Sequence, residues 1–442
     1  MRAARFATPL RRLFDRAETR ARTSALARLD RHWDLLTVVV AGYILVGVSN
    51  IQLLLPFLSP LRLGIVCAVG SAGLWIASTS RARRMTGLAD ATTKALLVLL
   101  VWTAITVPFA LHRGLAFTLV KDGFSRTVLL YLVIVGCVRG FRDLERLVFV
   151  HFTGIVLYAF YTLTFTSITV STARVEHIVG NYDPNDFATF AVSGLPFALY
   201  FLSRFHPWWI RAFAAGGLAL TAMGVVLSGS RGGFLALLAA GAYILFKYDS
   251  ISLRARVGSV AVALLAMTAI ASDDYWTRIG TIVSVEDDYN LTAEEGRTKI
   301  WRRGINYAME YPVFGVGVGN FSYAEATISP LVDRGSGLAG RFLAPHNSFV
   351  QIFAELGFFG ISVFAYLLYN AMHGLRLHAA ALSAVVPRAA PLGQALTASM
   401  LGLLVGIFFL SHAYSSMLYT VVALAVAYAK VGRMIPAVTR PH

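Results

Sequence analysis

Residues 35–55 read LLTVVVAGYILVGVSNIQLLL, an apolar run without one charged side chain. At 1.5 Å per residue a helix of that length spans roughly 30 Å, the thickness of bilayer hydrocarbon. Further apolar runs follow at Leu61–Ser78, Val148–Phe165 and Val257–Ala271 with its flanks. The chain as a whole is 57% hydrophobic and 14% charged, whereas soluble domains carry about 25% charged residues. That balance excludes an ordinary soluble domain and makes these runs membrane spans.

Hydropathy predicts about twelve spans, near 35–56, 61–79, 94–111, 120–138, 147–169, 186–203, 208–228, 233–247, 256–271, 347–371, 392–411 and 414–430. The formal charge of +16 would point to nucleic acid in a soluble protein, but here its placement follows membrane topology. Residues 1–34 hold nine arginines, so the N-terminus is placed in the cytoplasm. Alternating from there, the inner segments collect 26 of the 39 Lys and Arg, which puts both termini inside. The first apolar run lacks a small-residue cleavage site and reads as a retained span rather than a signal peptide. Cys67 and Cys137 both fall in or at the end of apolar runs, which argues against a disulfide or a cysteine metal site.

The expected fold class is therefore all-α, a polytopic transmembrane helical bundle. It divides into a basic cytoplasmic segment (1–34), spans one to nine (35–271), a long outer loop with short helices (272–346), spans ten to twelve (347–430) and a cytoplasmic tail (431–442). Within the long loop, Ile300, Trp301, Ile305 and Ala308 recur at helical spacing, which predicts an amphipathic helix over Arg297–Met309. Tyr311-Pro312 ends it.

Polar residues concentrate on the outer side. Gly180-Asn181-Tyr182-Asp183-Pro184-Asn185-Asp186 runs into span six, and Ser228-Gly229-Ser230-Arg231-Gly232-Gly233 into span eight. Ala344-Pro345-His346-Asn347-Ser348 opens span ten, with Ser348 and Gln351 at capping-box spacing. All three helices run inward, so their N-termini point outward and offer free N–H groups and partial positive charge to an anion. Arg174, Arg231, Arg297, Arg302, Arg303 and Arg341 add cations on the same side. A guanidinium fork suits phosphate because it bonds two oxygens at once.

Plainer readings compete. Arg231 at a helix end also fits an interfacial anchor, Asn185 a helix cap, and His346 a neighbour of one; Arg302 and Arg303 read first as lipid-headgroup contacts. Asp183 with Asp186, and Glu286-Asp287-Asp288, match no metal-ligand spacing. The Gly315-Val316-Gly317-Val318-Gly319-Asn320 string follows Tyr-Pro rather than a strand, which argues against a dinucleotide site. Ser230 lacks the glycine that a nucleophile elbow needs. A transporter or flippase for lipid-linked glycans is the alternative, but it needs ionisable residues along a mid-membrane path. Only Glu355 and the group of Lys121, Asp122 and Arg126 qualify, all in outer halves of spans.

Together these strings resemble the O-antigen ligase and polymerase superfamily. The resemblance is carried by Ser228 to Gly233, by Arg297 ahead of Ile300-Trp301 and Gly304, by Pro312, Phe314, Gly315, Gly317, Gly319, Asn320 and Phe321, and by Pro345-His346-Asn347-Ser348-Phe349 leading to Glu355-Leu356-Gly357-Phe358-Phe359-Gly360. It covers residues 180–360. What it implies is a glycosyltransferase of the bacterial inner membrane with a periplasmic active site. Such an enzyme takes a glycan from an undecaprenyl-diphosphate carrier and joins it to a hydroxyl of lipid A core or of a second glycan, with no metal, cofactor or nucleic acid partner. The resemblance makes Arg231 and Arg297 diphosphate ligands and His346 the catalytic residue. Arg174, with Pro184-Asn185, fits a further arginine of the family, while Asn347, Gly232 and Gly233 are read as substrate or helix-cap support. A histidine beside arginines and a helix N-terminus should favour its neutral form and so be able to take a proton.

Overall fold

A computed structural model describes residues 32–78, 89–165, 168–169, 174–175, 183–271, 273–280, 295–332 and 341–435. The N-terminal segment to residue 31, residues 180–182 of the first outer string, the acidic run at 286–288 and the last seven residues lie outside the described set. The major helices are α1 (Leu35–Ser49), α2 (Leu63–Ala77), α3 (Ala91–Thr106), α4 (Ser125–Cys137), α5 (Phe141–Phe165), α6 (Pro184–Phe201), α7 (Trp208–Leu227), α8 (Arg231–Lys247), α9 (Leu253–Ile270), α10 (Asp273–Gly280), α11 (Arg297–Glu310), α12 (Phe321–Thr327), α13 (Ser348–Val385), α14 (Ala389–Ile407) and α15 (Ser416–Arg433). Two two-residue strands, Ile168–Thr169 and Arg174–Val175, pair antiparallel.

Each of the twelve expected segments falls on a helix. Among the described residues, six helices are long and apolar enough to cross a membrane: Pro56–Ala77, Ala91–Phe109, Phe141–Phe165, Trp208–Leu227, Ser348–Val385 and Ala389–Ile407. The amphipathic helix of the long loop forms as α11, one residue longer than its pattern predicts. Cys67 and Cys137 are free thiols.

Helix α15 is the axis of the bundle. Its apolar residues surround the whole circumference, and Met417 to Gly432 are buried throughout, as expected for a helix with no polar face. It packs on α4 and α13, while α6 packs on α7, α8 and α14. Small residues allow that second group to approach closely: a Cβ on Gly233 of α8 would lie 2.5 Å from the Ala188 Cβ of α6, and one on Gly406 of α14 would strike Thr189. Where lipid tails are as apolar as leucine, such backbone proximity is a main source of helix association.

Charged residues tie the opposite end of the bundle. Arg433 bonds Asp90 at 2.6 Å, Arg388 meets Glu145 at 3.1 Å, and Arg139 holds the buried Asp143 at 2.7 Å. Lys430 donates to the Val135 carbonyl at the end of α4, at 2.8 Å.

The span expected over 347–371 is broken. Gly357 has φ 67° and ψ −165°, and the chain turns sharply there. Phe349 and Phe364 have ring centroids 5.8 Å apart, whereas fifteen residues of straight helix would separate them by roughly 22 Å. Ser348–Leu356 is thus a separate short helix folded against the long one. The break frees backbone groups, and the glycine-rich string satisfies them. Val316 N–H reaches Ala354 O at 2.9 Å, Gly317 N–H reaches Glu355 O at 3.1 Å, and Phe358 N–H reaches Pro312 O at 3.0 Å. Trp102 Nε1 donates to Leu356 O at 3.0 Å. Glu355, 1% exposed, accepts from Gly319 N–H at 2.9 Å, Phe321 N–H at 3.3 Å and the Tyr414 hydroxyl at 2.8 Å. It is a receptor for backbone N–H groups rather than part of an ion path.

Gly357 both adopts a left-handed φ and leaves no room for a Cβ, which would collide with the Pro312 carbonyl. Gly357→Ala is therefore expected to cost on the order of 1–3 kcal/mol from backbone strain alone, with the collision added. Thermal unfolding of the detergent-solubilised protein measures it; a melting curve matching the wild type would mean that the kink tolerates an L-residue.

A candidate active site where three helix starts converge

Each of the three outer strings folds as a cap. At the start of α6, Asp183 Oδ1 accepts from Asn185 N–H at 2.7 Å and Asp186 N–H at 2.8 Å, while Asp186 Oδ2 accepts the Asp183 N–H at 3.1 Å. This is a reciprocal capping box with Pro184 at the first helical position. The cap is thus Asp183; Asn185 sits one turn position inside, partly exposed, with its backbone N–H already committed.

At the start of α8, Gly229 turns the chain at φ 61° and Ser230 Oγ accepts the Gly233 N–H at 3.0 Å. Arg231 is then the first helical residue and is half-buried. Gly232 and Gly233 are both buried in packing: a Cβ on Gly232 would lie 3.1 Å from the Phe409 Cβ. Their role here is to let α6, α8 and the turn between α14 and α15 touch.

At the start of α13 the cap is Asn347, whose Oδ1 accepts from Phe349 N–H at 2.9 Å and Val350 N–H at 3.1 Å. The capping box expected between Ser348 and Gln351 does not form. Ser348 instead donates to the Leu410 carbonyl at 2.7 Å and accepts the His412 N–H at 2.8 Å. Gln351 Oε1 takes the Ala413 N–H at 3.4 Å. Tertiary contact outcompetes the local cap because the turn at 408–415 brings its own unpaired groups to Ser348.

His346 lies between these caps with φ 45°, a left-handed conformation rare for a residue with a Cβ. Its N–H is held by Ser411 Oγ at 3.0 Å, and the Pro345 carbonyl before it accepts from Trp301 Nε1 at 2.8 Å. Trp301 in turn packs edge-on against Phe408, centroids 5.4 Å apart. These bonds carry α11, and with it Arg297 at its first position, to the same place. The half-buried imidazole feels this company. Burial, then the Arg297 charge, pushes its pKa below the usual imidazole range, against Asp183 and Asp186, which act the other way.

His346, Arg297 and the α6 cap are thus one electrostatic neighbourhood, and Arg231 stands one residue from a glycine that packs on the shared turn. Arg174 is in the second strand of the small pair, and its side chain lies outside the described set. Arg303 is not a headgroup contact: it is buried and paired with Glu325, Nη2 to Oε2 at 2.7 Å, with the Tyr307 hydroxyl on the other oxygen at 2.8 Å. Arg302 is exposed beside it. Sequence reasoning missed Ser411, and it missed His412 Nε2 on Asp186 Oδ1 at 2.8 Å. The only signal was a histidine at an outer span boundary, away from the recognised strings. Among the described residues, no group of three or more His, Cys, Asp or Glu is arranged to hold a metal ion.

A multi-span helical bundle with a cationic, histidine-bearing site at one end defines an integral membrane protein of the multi-pass class. Residues 216–365 match the family model described as O-antigen ligase. The matched segment contains Arg231, Arg297 and His346, and stops short of the 408–415 turn. No curated protein matches the chain.

Ser348→Ala would leave the Leu410 carbonyl and the His412 N–H without their partner, at a cost of about 1–3 kcal/mol for each group that stays dry. A clear fall in melting temperature, reversed by Ser348→Thr, is the expected result in detergent or nanodiscs. An unchanged melting temperature in the alanine variant would mean that water replaces the hydroxyl.

Proposed function

We propose that this chain is a glycosyltransferase that moves a glycan from an undecaprenyl-diphosphate carrier to an acceptor hydroxyl at the periplasmic face, as an O-antigen ligase or the related polymerase. In this reading twelve helices span the bacterial inner membrane, the tenth being the part of α13 that follows the Gly357 break, and both termini are cytoplasmic. The observation that carries it is the placement of His346 beside Arg297, among three helix N-termini, within the segment that matches the ligase family.

The chemistry follows from that placement. The acceptor O–H gives its proton to the neutral imidazole of His346 as its oxygen attacks the anomeric carbon. The bond from that carbon to the diphosphate breaks, and undecaprenyl diphosphate leaves with the electron pair. Arg231 and Arg297 hold the charge that develops on the leaving group, aided by the partial positive charge of the α8 and α13 starts. Attack and departure on opposite faces invert the anomeric configuration. Burial first, and the Arg297 charge second, favour the unprotonated form of that base.

His346→Ala, Arg231→Ala and Arg297→Ala are each expected to abolish polymeric glycan at the cell surface, with the protein still inserted at wild-type levels. Glycan missing from lipid A core assigns a ligase, and single repeat units assign a polymerase. Normal surface polysaccharide in the His346 variant would refute the catalytic reading, and retained anomeric configuration in the product would refute direct displacement. The pH profile has a fixed sign. Because the His346 pKa is lowered, activity should persist below the ordinary imidazole value of about 6.5 and fall only as pH drops through the depressed value. An acid limb above that ordinary value would mean that His346 is not the group titrating.

A further inference from the structure

The turn between α14 and α15 contributes two residues to the site that the ligase match does not reach. Ser411 holds the His346 N–H at 3.0 Å. The next residue, His412, is 9% exposed and turns its Nε2 onto Asp186 Oδ1 at 2.8 Å. Asp186 is thereby committed twice, since its other oxygen accepts the Asp183 N–H at 3.1 Å. One carboxylate therefore ties the cap of α6 to the turn that grips the His346 backbone.

The charged and titratable groups around His346 come from each element packed there. They are Asp183 and Asp186 from α6, Arg297 from α11 and His412 from the turn, with Arg231 opening α8 nearby. We propose that Asp186 and His412 are a positioning pair for His346: His412 fixes where the Asp186 carboxylate stands, beside the turn whose Ser411 holds the His346 N–H. The proposal rests on the reading of His346 as the acceptor's base. Both ring states of His412 can keep an N–H at Nε2, so the hydrogen bond to Asp186 persists whichever state is present. A left-handed histidine backbone is strained, and a hold through Ser411 is only as rigid as the turn that carries Ser411.

The test uses the full chain in lipid nanodiscs with isotope-labelled histidine, the His346 resonance being assigned by its loss in His346→Ala. Asp186→Asn keeps an acceptor oxygen for the cap but removes the charge, so the His346 titration midpoint should fall by about half a pH unit or more. His412→Gln retains an N–H for Asp186 and should leave the midpoint within about 0.2 pH unit of wild type. His412→Ala should lower kcat about tenfold or more, with KM for the donor within about twofold, as expected when a reacting group is misplaced rather than substrate binding lost. His412→Gln should restore most of that kcat. The donor for this assay is the lipid-linked glycan extracted from a strain deleted for this protein. An unmoved midpoint in Asp186→Asn, or a glutamine variant as impaired as the alanine one, overturns the pair. Separately, undecaprenyl diphosphate that fails to bind the wild-type protein would overturn the glycosyltransfer reading while leaving the His346 shift to stand or fall alone.

Discussion

One hydroxyl joins the two halves of this site. Ser348 Oγ gives its proton to the Leu410 carbonyl and takes the His412 N–H, so the start of α13 and the turn between α14 and α15 share a single buried atom. Both turn groups are backbone ends that have no partner within their own helices. Near the membrane boundary, burying them unpaired would be costly, and Ser348 meets both needs at once. Everything else in the site hangs from that joint. Ser411 reaches the His346 N–H, His412 reaches α6, Phe408 receives Trp301, and Phe409 packs on Gly232 of α8.

The balance of charge around His346 is the second feature of consequence. A helical bundle that gathers arginines at one end carries repulsion there, which nearby carboxylates offset. Arg303 is neutralised by the buried Glu325, which removes it from the site and makes it a strut between α11 and α12. Arg341 pairs with Glu295 just ahead of α11. Asp183 and Asp186 are used first as helix caps, and only their residual charge reaches His346. Burial, then Arg297, outweigh the two carboxylates at the imidazole, so its proton-free form is favoured.

The glycine-rich string, within the segment that matches the ligase family, has a structural part in the break of α13. Gly315, Gly317 and Gly319 all have positive φ. A side chain would strike Ala354 and Glu355 at Gly315, Ala110 at Gly317 and Leu119 at Gly319. The string supplies the N–H groups that the break at Gly357 demands, and Glu355 secures its far end. That arrangement turns the short helix Ser348–Leu356 back against the long one, and it sets the direction in which the His346 segment enters the site. The sharp turn is the condition for a helix N-terminus to face the site while the main span continues through the bundle.

Much of this was legible in the residues alone. Apolar run length predicts the helices and periodicity predicts α11, because burial in lipid and burial on one face leave local patterns. The three outer strings announce caps, and Arg231, Arg297 and His346 stand out by residue type. The residue pattern therefore fixed an all-helical fold rich in long apolar helices, the approximate place of each helix and the residue types available for chemistry. Packing settled which cap each serine, asparagine and aspartate serves, that Arg303 pairs with a buried carboxylate, and that His412 joins Asp186 across a separation of 226 positions. The physical reason is that a hydroxyl or carboxylate has several partners within reach of its chemistry, and the choice among them belongs to whichever backbone groups the packing of distant helices leaves unpaired beside it.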